Sequence, residues 1–202
     1  MKNDLIYQDT SYTCAPTTIL NALRYLYERE ELRPDLIWTV YRLTMDCYGA
    51  DGTFGTEGTS PKAVLSVANA LNMFGESNRF PIQATVLRDD QALVGSPQAN
   101  TPLRRTIVEG GAGVARVWSN NMNGHYVLVT GFSQMPDGTP AVRVFDPLQG
   151  AAVDGDDVLR IEGEPRCANR LVSVSLFDSG SRKPFALVND ENKRRVICIS
   201  HR

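Results

Sequence analysis

The apolar positions of this 202-residue chain change their rhythm near residue 80. Before that point they recur every three to four residues, the spacing of an amphipathic helix. Ile19, Leu20, Leu23, Leu26 and Tyr27 share one helical face directly after Cys14. Pro16 falls in the first turn of that helix, where a missing N–H costs nothing. Leu36, Ile37, Val40, Tyr41 and Leu43 repeat the pattern after Pro34. Ser60-Pro61 predicts a third start, a capping serine followed by proline at the first helical position. Val64, Leu65, Val67, Ala68 and Leu71 carry that helix toward Gly75, which reads as its stop.

Beyond residue 80 the pattern becomes one of short runs rich in Val, Leu and aromatics, which predict strands. These runs are Ile82 to Leu87, Val114 to Trp118, His125 to Phe132, Ala141 to Phe145 and Leu171 to Phe177. One further short helix is expected from Thr101-Pro102 to Val108, ending at Gly110-Gly111. Phe185 to Val188 and Val196 to Ile199 read as a terminal hairpin joined through Asp190-Glu191-Asn192-Lys193. Its tip would hold the basic cluster Lys193-Arg194-Arg195. Helices first and antiparallel strands second predict an α+β architecture in which the two halves pack face to face. A single domain over residues 1–202 is expected, with a helical lobe over about 1–78 and a sheet lobe over about 79–202.

Composition narrows the function classes. With 21 basic against 23 acidic residues the formal charge is −2, which leaves no electrostatic footprint for nucleic acid or an anionic membrane. No run approaches the roughly 20 apolar residues of a membrane span. The first nine residues lack the apolar stretch of a secretory signal, so a cytoplasmic location is expected. Cys14, Cys47, Cys167 and Cys198 are scattered without a C-x-x-C pair, so neither a metal nor a disulfide framework is expected. The last three read as small buried hydrophobes. The glycine-rich loop 49–59 lacks the Gly-Lys-Ser/Thr ending of a phosphate-binding loop, and no nucleotide or other cofactor is implied.

Four residues carry candidate chemistry. Cys14 opens a helix, where the positive end of the helix dipole favours a thiolate. The dipole alone contributes only about 0.3–1 kcal/mol, so activation requires a histidine. Of the two histidines, His201 is penultimate, where chain ends fray, and His125 opens an apolar strand. If strands 125–132 and 141–146 form a hairpin around Pro136-Asp137-Gly138, facing residues have numbers that sum to roughly 273. His125 and Asp146 then lie opposite or nearly opposite one another. Gln8, six residues before Cys14, is placed to pass the mouth of the helix and join the Cys14 N–H as an oxyanion donor. Cysteine as nucleophile, histidine as base, aspartate as orienter and glutamine as donor make a thiol-nucleophile site.

These residues resemble the papain-like cysteine peptidases, and most closely the branch that processes double-glycine leaders of bacteriocins. Gln8, Cys14, His125-Tyr126-Val127-Leu128-Val129 and Asp146-Pro147-Leu148-Gln149-Gly150 carry the resemblance, which covers roughly residues 5 to 177. That branch has an acidic residue and a glycine flanking its cysteine, where this chain has Thr13 and Ala15-Pro16. The resemblance implies a stand-alone papain-like hydrolase whose helical lobe carries Cys14 and whose sheet carries His125 and Asp146. A peptide or protein substrate is expected, cleaved at an amide or isopeptide bond. Acyl transfer through the same acyl-enzyme, and an inactive binding module of the same fold, are the alternatives. The cleft walls are expected from loop 49–59 and from the segment between Trp118 and Asn123.

Overall fold

Pro34 and Pro61 stand at the first positions of helices, as their fixed φ and missing N–H favour. The computed structural model describes residues 3–121, 123–150, 155–189 and 194–202. Its helical half comprises α1 (Cys14–Leu26), α2 (Pro34–Thr44) and α3 (Pro61–Asn78). Every residue of α1 from Cys14 to Leu23 is buried, so this is a central helix rather than a half-exposed one. The Ser60 hydroxyl accepts the Ala63 N–H at 3.2 Å and caps α3. The helix runs past Gly75 and ends at Arg79, a left-handed residue with φ 54°. Gly75 serves packing instead of termination. A Cβ there would lie 2.9 Å from Ile82 Cγ2 and 3.0 Å from the Phe80 carbonyl, so the missing side chain lets α3 close on the following strand.

The strands are β1 (Ile82–Arg88), β2 (Ala112–Trp118), β3 (Gly124–Gln134), β4 (Pro140–Phe145), β5 (Val158–Arg160), β6 (Arg170–Ser173) and β7 (Arg195–His201). They form one antiparallel sheet in the order β1-β7-β2-β3-β4-β6-β5. Two short helices, α4 (Pro102–Val108) and α5 (Val174–Asp178), complete the α+β fold. Val114, Leu128, Ile197 and Ile199 pack on α1 to α3, while Val117, Val127, Val144 and Val196 face α4, α5 and Phe185 to Val188 on the other side. Both faces of the sheet are thus covered, which explains strands that read as continuous apolar runs.

Several sequence expectations need correction. The run Leu171 to Phe177 is strand only through Ser173. The Ser173 hydroxyl then accepts the Leu176 N–H at 3.2 Å and starts α5. The terminal hairpin does not form. Leu187 and Pro184 bridge to Val117 and Trp118 at the end of β2, whereas β7 inserts between β1 and β2. Val196, Ile197, Cys198 and Ile199 are all buried, on alternate faces, so β7 needs a neighbour on each edge and a cover on each face. Residues 190–193, including Lys193, lie outside the described residues. Arg194 is buried and Arg195 opens β7, so neither is a hairpin tip. His201 is not frayed; it pairs with Ile82 and packs edge-on against Tyr27 with ring centroids 4.7 Å apart. Of the four free cysteines Cys14 and Cys198 are buried, but Cys47 and Cys167 are half-buried. Among the described residues, no helix is long and apolar enough to cross a membrane.

Candidate active site

The Cys14 thiol sits at the first turn of α1, and two hydroxyls fix that helix against β3. Thr18 Oγ1 donates to the Tyr126 carbonyl at 3.0 Å, one turn along from Cys14 and one residue along from His125. Tyr25 donates its hydroxyl to the Thr130 carbonyl at 3.1 Å. Thr130 is where β3 changes register against β4, between Val129 and Gly131. The extra residue of that bulge moves the pairing to Val129 with Val144 and Leu128 with Phe145, the register expected from the sequence.

The consequence appears beyond the last paired residues. His125 Nε2 lies 2.8 Å from Asp146 Oδ1, with His125 8% and Asp146 1% exposed. The same oxygen accepts the Leu148 N–H at 2.9 Å. Asn169 secures the backbone of Asp146, accepting its N–H and donating to its carbonyl, each at 2.8 Å. With Nε2 committed to Asp146, Nδ1 is the nitrogen left to face Cys14, which lines the same cleft as the imidazole.

Burial alone would raise the pKa of the Cys14 thiol. The hydrogen bond and charge of His125 outweigh it and hold the thiol below its ordinary value. For His125, burial opposes protonation, but the hydrogen bonds to Asp146 and Cys14 and their charges push it up to about 10. Both shifts run in the direction that favours a proton on the imidazole rather than on the sulfur. Burial pushes Cys198 up to about 11, and burial followed by the Asp46 carboxylate raises Cys47. Cys14 is therefore distinguished by its environment. The chain matches no protein-family model and no curated protein.

Gln8 is close by, yet its amide is partly engaged. Nε2 donates to the Thr10 carbonyl at 2.7 Å, which leaves one N–H of that group uncommitted, and Oε1 is buried without a partner. The segment is held on both sides of the site. The Gln8 N–H donates to the Pro147 carbonyl at 2.9 Å, beside Asp146. Asn21 of α1 accepts the Ile6 N–H and donates to the Ile6 carbonyl, each at 2.8 Å.

A cleft of about 500 Å³ opens over these groups, with Gln8, Cys14, His125, Glu57, Arg116 and Asn121 in its lining. Thr56 to Thr59 and the residues Ser119, Asn121 and Asn123 supply the two walls expected from the sequence. The glycine-rich wall is fastened at its base, where Ser60 N–H donates to Asp46 at 2.8 Å and Thr59 Oγ1 to the Thr44 carbonyl at 2.5 Å. Across His125 lies a second compartment of about 250 Å³, lined by Trp118, Asn120, Asp146, Pro184 and Phe185.

Gln8, Cys14 and His125 thus line one cleft, and Asp146 lies behind His125 in the second compartment. Asn169 and Asn21 gave no local signal, because an asparagine beside an apolar run looks the same whether it is solvated or clamps a distant backbone. Arg116 did leave a signal, a charge inside the apolar run Val114 to Trp118. Among the described residues, no three His, Cys, Asp or Glu side chains gather where they could hold a metal ion.

Proposed function

We propose that this chain is a papain-like thiol hydrolase, a peptidase or amidase acting through Cys14, His125 and Asp146. The observation that carries this reading is the buried His125–Asp146 hydrogen bond beside Cys14, with the thiol and the imidazole in the lining of one open cleft. Such an arrangement supplies a nucleophile, a proton carrier and an orienting anion in the order that acyl transfer requires.

In the first half-reaction the Cys14 thiolate attacks the amide carbon. A C–S bond forms and the carbonyl electron pair moves onto oxygen. The Cys14 N–H at the start of α1 and the uncommitted N–H of Gln8 receive that oxyanion, with a donor of this kind worth about 2.7–4 kcal/mol. The imidazolium of His125 gives its proton to the leaving nitrogen as the C–N bond breaks. The amine departs on the imidazole side, toward the compartment lined by Trp118 and Phe185. In the second half, neutral His125 takes a proton from water, the hydroxide attacks the thioester, and the C–S bond breaks to restore the thiolate. Asp146 keeps Nδ1 aimed at sulfur throughout by holding Nε2–H.

Trapping the acyl-enzyme from an activated acyl ester, and following its decay by intact mass, tests the reading. Hydrolysis predicts an adduct on Cys14 that decays at a rate nearly independent of added amines or thiols. A saturable acceleration by one acceptor, with the acyl group recovered on it, makes the enzyme a transferase. No adduct in a folded protein overturns the hydrolase reading altogether.

A further inference from the structure

Three arginines stand in a row across the sheet and end at the candidate site. Arg88 of β1 pairs with Arg195 of β7. The β7–β2 register, Ala115 with Val196, continues to Arg195 beside Arg116, and Arg116 pairs with Tyr126 of β3. Cross-strand neighbours share a face, and two residues along from this row lie Val86, Ile197, Val114 and Leu128, which pack on α1 to α3. The arginines therefore extend from the face that carries Cys14, at the end of the sheet where the cleft opens.

Arg116 is the member that lines the cleft. Its side chain makes no hydrogen bond or ion pair among the described residues, and its Nε is buried without a partner. The guanidinium lies directly against Gly124, where any Cβ would collide with Nε, Nη2 and Cζ. A side chain at the position before His125 would therefore make the guanidinium move. Glu57 lines the same cleft from the glycine-rich wall, but it is exposed and forms no ion pair with Arg116. A partly buried cation with no counter-charge is costly by itself, and the cost is offset when an anion arrives with the ligand.

We infer that Arg116 is a specificity-determining residue that receives a carboxylate of the peptide substrate next to the bond attacked by Cys14. This deepens the hydrolase reading and rests on it. The planar guanidinium matches a carboxylate in bidentate fashion. The carboxylate belongs either to an acidic side chain or to the free C-terminus of a short peptide, and the two sources share this chemistry.

The test uses peptides in which an α,β-unsaturated carbonyl replaces one amide, so that they alkylate Cys14 with residues on both sides. Twins differ by Glu against Gln at each flanking position, or by a free against an amidated C-terminus, which separates the two sources. The wild-type protein should alkylate with one acidic twin about tenfold faster than with its neutral partner. Arg116→Gln should bring that ratio to within about twofold, and Arg116→Lys should keep it above about threefold, since charge remains without the fork. Gly124→Ala, which displaces the guanidinium, gives a second route to the same loss. Equal rates for all twins, while iodoacetamide still selects Cys14 at pH 6, overturn the carboxylate inference and leave the hydrolase reading standing. An unchanged ratio in Arg116→Gln overturns it as well. Failure of iodoacetamide to select Cys14 overturns the hydrolase reading and the inference together.

Discussion

Asn169 grips Asp146 by both sides of its peptide backbone, accepting the N–H and donating to the carbonyl at 2.8 Å each. The contact never touches the carboxylate, yet it decides where the carboxylate points. Asn21 treats Ile6 in the same way, two residues before Gln8. Asn72 of α3 likewise holds Ala84 of β1, at 2.7 and 2.8 Å. Each asparagine satisfies an edge of extended backbone that has no strand partner at that point.

Asn169→Ala should therefore affect both stability and the proposed chemistry. Two buried backbone groups lose their partners, which costs about 2–4 kcal/mol. Urea unfolding measures that part. Where the variant remains folded, alkylation of Cys14 near neutral pH should slow, because a displaced Asp146 no longer holds His125. Normal stability with normal reactivity would mean that Asp146 is fixed by its Leu148 contact alone.

Selective alkylation should identify the thiolate. Limiting iodoacetamide at pH 6 should modify Cys14 well before Cys47, Cys167 and Cys198, as peptide mapping would show. Cys198 is the sharpest internal contrast, since burial pushes its thiol up to about 11.

The pair should also shape stability against pH. Raised in the folded state, His125 adds stability that is full below its unfolded value of 6.5 and is lost as pH rises toward about 10. Cys14, lowered in the folded state, adds stability that is present above its unfolded value of 9.0 and is lost as pH falls through its folded one. The two parts run in opposite directions, so the Cys14 part offsets the loss of the His125 part between the lowered thiol pKa and 9.0, and above about pH 9 only the decline remains. In Cys14→Ala only the His125–Asp146 contact remains, so the decline should begin near pH 6.5. Superimposable urea midpoints for the two proteins across this range would contradict the ion pair.

His125→Ala should abolish turnover of any substrate found for the protein. Asp146→Asn should slow it while the chain remains folded, because an amide oxygen can still accept Nε2–H but no longer brings a negative charge to the imidazolium. Steady-state rates with far-ultraviolet circular dichroism as the folding control measure both.

Gly75→Ala sets two local effects against each other. Alanine is the better helix former by about 1 kcal/mol, but its methyl would meet Ile82 and the Phe80 carbonyl. Overpacking of this kind costs about 1–3 kcal/mol, so the substitution should destabilise on balance. Thermal unfolding reads the sign directly.

Much of the site was legible because its parts are local. Cys14 before an apolar helix, His125 opening a strand and Asp146-Pro147 closing the next each leave a mark within a few residues. Even the hairpin register was readable near the site, although it holds there only through the bulge at Thr130. The parts that escaped depend on partners far along the chain. Nothing near Val196 announces that its strand lies between β1 and β2, and nothing near Asn169 announces Asp146. Gly75 misled for the same reason, since its purpose is set by Ile82 across the helix–strand contact. The three-residue strand β5 is too short to show any period.

The position of β7 bears on the order of events during synthesis. A growing polypeptide that has reached Ser179 already carries Gln8, Cys14, His125 and Asp146, but its sheet is still in two pieces. One piece is β1 with α3 against it, and the other runs from β2 through β5. Only when Arg195 to His201 emerge from the ribosome can the two be stitched into one surface beneath α1. Until then the inner edge of β1 has no strand beside it, so the half of the sheet under α3 is joined to the half that carries His125 only after β7 is made.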